Sequence, residues 1–60
     1  METKIQYWGY LHINNTLHVK RFFDYTDISE ALASPFVKRT AGPFFADNID
    51  NALQILKTEI

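Results

Sequence analysis

Cysteine is absent from this 60-residue chain, and glycine and proline occur only twice each. Without cysteine there is no disulfide to staple a small core and no thiolate to hold a metal. A chain of this size buries only roughly 60% of its unfolded surface, so packing alone must hold it, and pairing with a second copy is one way to add to that packing. The scarcity of glycine and proline, beside 47% hydrophobic and 15% aromatic residues, excludes a linker or a disordered tail and describes an ordered domain that leans on rings. Long apolar runs are missing too. Nothing approaches the roughly 20 residues of a membrane span, and Met1-Glu2-Thr3-Lys4-Ile5-Gln6 offers no apolar stretch for a leader. The expectation is a single domain over residues 1–60, cytoplasmic, with no membrane contact.

Chemistry-bearing motifs are equally scarce. No glycine-rich phosphate loop occurs, and Ser29 and Ser34 have no base at a spacing that would activate them. His12 and His18 fall on neighbouring strands without a third ligand near them, whereas zinc wants at least three. The chain reads as a non-enzyme with no cofactor and no metal.

What is present is a hairpin rich in aromatics. Ile5, Tyr7, Gly9, Leu11 and Ile13 alternate with Gln6, Trp8, Tyr10 and His12, the period of a strand with two distinct faces. A two-residue turn at Asn14-Asn15 would set Leu17 and Val19 opposite His12 and Tyr10 and mix polar with apolar on both faces. A three-residue loop, Ile13-Asn14-Asn15 with Asn15 in the left-handed region, repairs this. It gathers Ile5, Tyr7, Gly9, Leu11, Leu17, Val19 and Phe23 on a core face and Lys4, Gln6, Trp8, Tyr10, His12, His18, Lys20 and Phe22 on the other.

Further along, Asp27 caps a short predicted helix through Ile28, Ala31 and Leu32, with Glu30 completing a capping box and Pro35 closing it. Residues 36–41 read as a third strand ended by Gly42-Pro43, with Phe44 and Phe45 folding over the edge of the core. A last helix starts at Asp47 or Asn48, with Asp50 in its first turn and Lys57 in its last, and carries Ile49, Ala52, Leu53, Leu56 and Ile60 on one stripe. The predicted fold is α+β, a ββαβα domain with a three-stranded antiparallel sheet in the order 2-1-3 backed by two helices on one side, leaving the Trp8 face open. Unpaired edges in so small a sheet favour a homodimer, against which Lys20, Arg21, Lys38 and Arg39 stand as partial guards.

The formal charge of −1 conceals a segregation: the strands carry Lys4, Lys20, Arg21, Lys38 and Arg39, whereas Asp24, Asp27, Glu30, Asp47 and Asp50 sit at helix starts, where capping explains them. Trp8, Tyr10, His12, His18, Lys20 and Phe22 are therefore the candidate contact surface. One reading makes them a protein interface, with aromatic anchors in a polar rim. The other makes the same face a single-stranded nucleic-acid binder, bases stacking on rings while cations follow phosphates, although a chain with pI near 6.0 lacks a strong positive field.

The segments Tyr7-Trp8-Gly9-Tyr10-Leu11-His12, Val19-Lys20-Arg21-Phe22-Phe23, Asp27-Ile28-Ser29-Glu30-Ala31, Ser34-Pro35-Phe36-Val37 and Gly42-Pro43-Phe44 together resemble small accessory proteins of tailed bacteriophages. The resemblance implies a non-catalytic protein that binds and modulates a host factor, antiviral defence included, in the host cytoplasm. It assigns no functional residue. Ala41-Gly42-Pro43-Phe44 before an amphipathic helix is also similar to the closing segment of peptidoglycan-binding SPOR domains, but those have two βα-type halves and this chain opens with a hairpin.

Overall fold

A computed structural model describes residues 4–60; residues 1–3, part of the stretch read above for a leader, lie outside it. The elements are β1 (Ile5–His12), β2 (Leu17–Arg21), α1 (Tyr25–Ala33), β3 (Val37–Ala46) and α2 (Ile49–Glu59). The strands form one sheet in the order β2-β1-β3, each neighbour antiparallel, so the chain is the expected small ββαβα domain.

The hairpin takes the repaired register. Leu11 pairs with Leu17 and Gly9 with Val19, and Asn15 has φ 69°. The Asn15 amide donates to the His12 carbonyl and the His12 amide to that of Thr16, which closes the three-residue loop. Lys38 pins it from the neighbouring strand through a 2.8 Å hydrogen bond from Nζ to Asn15 Oδ1.

The two faces are not one covered and one open. A Cβ on Gly9 would stand 2.5 Å from Leu56 Cδ2, so α2 lies tight on the face of Gly9 and Tyr7, where Ala46 and Ala52 join Tyr7 in the core and Ile5, Val19, Phe44 and Ile55 pack around them. Side chains alternate along a strand, so Trp8 points the opposite way. There it is only 3% exposed, and α1 stands on that side with Ile28 as its buried residue. The expectation of two helices on one side is thus corrected. Each helix serves one face, because the hairpin presents apolar bulk on both and each bulk needs a cover.

Local choices differ from the sequence reading in instructive ways. Helix α1 begins a turn earlier, capped by Asp24 accepting from the Thr26 amide at 2.8 Å, which leaves Asp27 inside the first turn and Glu30 out of any capping box. The last helix is capped by Asn48, whose side chain accepts from Asn51, while Asn51 Oδ1 accepts in return from the Asp47 amide. Its buried stripe is Ala52 and Leu56 with Ile55; Ile49 is exposed. Phe23, placed on the core face by extrapolating β2, is 74% exposed because the strand ends at Arg21, whose guanidinium lies over the Phe23 ring.

Strand β3 does not stop at Gly42-Pro43 but runs through it. Tyr7 pairs with Phe44 and Gly9 with Ala41, so two residues, Gly42 and Pro43, face Trp8 alone. This bulge shifts the phase of the strand by one and lets Ala41, Phe44 and Ala46 all face α2. Gly42 is required there: φ is +118°, and a Cβ would lie 3.0 Å from the backbone and Cβ of Trp8.

Candidate functional site

Large rings on the Trp8 face hold α1 away from the sheet. The space left is a groove of about 360 Å³ between β1, β2 and α1, extended to the start of β3. From the sheet it is lined by Trp8, Tyr10, His12 and Lys20; from α1 by Asp27, Glu30 and Ala31; and Ser34, Phe36 and Val37 close the end.

The sheet side is a run of rings in contact. Trp8 and Tyr10 lie 5.7 Å apart and tilted, Tyr10 stacks on His18 at 5.0 Å, His12 meets His18 edge-on at 6.1 Å, and His12 lies parallel to Phe36 at 6.3 Å. Such pairs fix the rings and reduce the entropy lost when a ligand settles on them. The imidazoles are held by the hairpin loop as well. His12 Nδ1 accepts from the Asn14 amide at 3.3 Å. Thr16 spends its hydroxyl proton on Asn14 Oδ1 at 2.6 Å, so His18 Nε2, 3.0 Å from Thr16 Oγ1, is the donor in its contact with that hydroxyl. Among the described residues no group of three metal-ligating side chains forms.

Of the six candidate contact residues, four line the groove: Trp8, Tyr10, His12 and Lys20. His18 is exposed and stacks behind Tyr10. Phe22 sits past the end of β2 in an edge contact with Tyr25, 5.2 Å away, apart from the groove. Trp8 is corrected in its role. It is a buried floor under α1, not an exposed anchor, because the central strand places it against the Gly42-Pro43 bulge and on the side that α1 covers. Its indole Nε1 is buried and has no acceptor among the described residues. A donor left so costs about 1–3 kcal/mol, and native proteins keep few of them.

Asp27 and Glu30 were explained in the sequence as caps, and that explanation hid them. With Asp24 doing the capping, the two carboxylates are free to line the groove three residues apart, on the flank they share with Ala31. The spacing of Asp24, Asp27 and Glu30 was the available signal, since a helix needs only one of three acids as its cap. In comparison with known proteins, the chain matches no family model, no curated protein and no solved structure.

Proposed function

We propose that this chain is a non-catalytic binding protein, a phage-type modulator of a host protein, and that the groove between α1 and the Trp8 face seats a segment of that partner. The groove carries this reading. It joins fixed rings, which supply contact area at low entropic cost, to a mixed set of charges at its walls, which suits the polar backbone and side chains of a polypeptide. Tyr10, His12 and Lys20 provide the sheet-side contacts, while His18 and Phe22 extend the surface beyond the groove. The host compartment in which such a partner resides is the bacterial cytoplasm.

Self-association accompanies this reading. Ile13, Phe23, Tyr25, Leu32, Phe36, Phe45 and Ile49 are each at least 46% exposed, a heavy apolar load for a domain this small, and a homodimer would cover part of it. Light scattering of the purified chain tests that part separately: a monomer mass removes it.

The test of the groove is capture from bacterial lysate on the immobilised chain, with and without nuclease, beside the variants Tyr10→Ala and Lys20→Glu. A protein retained after nuclease and lost from both variants supports the proposal. Retention that both variants preserve overturns it. The rival reading, single-stranded nucleic acid on the same face, requires capture that nuclease abolishes and affinity that falls steeply with salt, as counterion release demands. The carboxylates of Asp27 and Glu30 argue against it, because they stand where a phosphate chain would pass.

A further inference from the structure

Three fixed charges line the groove, Asp27 and Glu30 on α1 and Lys20 on the sheet, which leaves a net charge of −1 beside a floor of rings. Neither carboxylate accepts a hydrogen bond from another described side chain, and Asp24, not these two, serves the helix end. Unpaired carboxylates lining the same groove as the Tyr10 ring make a site with two attractions for one kind of group. A planar cation stacks on the rings and donates in a fork to the acids. We propose that the groove recognises an arginine side chain of the partner segment, its guanidinium between the Tyr10 ring and the carboxylates of Asp27 and Glu30. This inference rests on the groove being the partner's seat and names the chemistry that the seat selects.

Guanidinium fits better than ammonium. It is planar, weakly hydrated and presents five donors, so it can lie against a ring and still pair with both acids, whereas a lysine head is a compact, strongly hydrated point charge. Lys20 on the opposite side disfavours a second cation and pairs with a carbonyl or carboxylate next to the arginine.

The test is a titration of the whole chain with the capped tripeptides acetyl-Gly-Arg-Gly-amide and its citrulline, lysine and glutamate counterparts, read by amide and indole resonances. Trp8 is the only tryptophan, so its indole signal reports on the groove without ambiguity. The arginine peptide is expected to move the signals of Trp8, Ala31 and Val37. Citrulline, isosteric but uncharged, is expected to bind at least about tenfold more weakly, and the lysine peptide to fall between. The double variant Asp27→Asn, Glu30→Gln keeps the Asp24 cap and is expected to fold normally while losing the preference for arginine over citrulline. Equal binding of arginine and citrulline, a preference that survives in the double variant, shifts outside the groove, or no shifts at all would each overturn the inference. If the captured partner still depends on Tyr10 and Lys20 while arginine fails, only the choice of ligand falls; if the partner ignores those residues, the groove reading falls with it.

Discussion

The two faces of one sheet solve the same problem in opposite ways. Under α2 the sheet presents Gly9, Ala46 and Tyr7, and the helix presents Ala52, so the backbones approach until Leu56 is fully buried over the glycine. Under α1 the sheet presents Trp8 and Tyr10, and the helix, with Ile28 alone buried, rides on the rings and leaves a groove. Gly9, Ala46 and Ala52 let one helix close on its face, whereas Trp8 and Tyr10 hold the other off theirs. Both faces hold the domain together, through Leu56 and Ala52 on one side and Trp8 on the other, and the propped face also keeps surface to offer.

Six substitutions bear on that contrast. The largest is expected from Trp8→Ala, about 4 kcal/mol, because a fully enclosed ring is lost from the one place that supports both α1 and the β3 bulge. In a domain this small it should abolish the cooperative thermal transition, whereas Tyr10→Ala, at the groove wall, should leave that transition in place. If Trp8→Ala folds well, the ring is not a floor and the propped face is looser than described. Gly9→Ala is expected to cost about 2 kcal/mol in urea denaturation. Its Cβ would meet Leu56, which can move, and the His18 carbonyl at 2.7 Å, which cannot, so trimming Leu56 should rescue only part of the loss.

Smaller effects sharpen the difference between the helices. Asp24→Ala and Asn48→Ala each remove a cap worth about 1 kcal/mol, but the first should speed amide exchange in α1 alone, since one buried side chain ties that helix down, while the second should lower global stability. Equal behaviour of the two helices would erase the contrast. The smallest change is expected from Glu30→Gln, within about 0.5 kcal/mol, because the side chain is exposed at the rim. An unchanged melting temperature with an altered response to arginine peptide would separate binding from folding at one position.

The hairpin was legible down to its register because only one loop length keeps Leu11, Leu17, Gly9 and Val19 together, and Asn15 is a residue that tolerates the backbone this loop needs. The strand order followed from connection rules. The cover on the Trp8 face did not, because alternation tells which side chains share a face and is silent on which helix meets them. Strand β3 was cut short for a related reason: its pairing with β1 shifts twice, once between Val37 and Arg39 and again between Ala41 and Phe44, so no single period spans the element. Of the candidate site, the sheet-side residues were readable from the same alternation. The acids of α1 were not, since a carboxylate near a helix start looks like a cap until another takes the position.

The bulge opposite Trp8 also sets how this chain would respond to a change in length. Most strands tolerate substitution better than deletion, and here the arithmetic is unusually strict. Removing either Gly42 or Pro43 would restore the alternation opposite Trp8, and to keep Phe44 and Ala46 against α2 the stretch of β3 just before it would have to turn over. Ala41 would then face α1, and Thr40 would be driven toward α2. Sequences that share this architecture can therefore drift in many letters of β3, but they must conserve the count between Ala41 and Phe44.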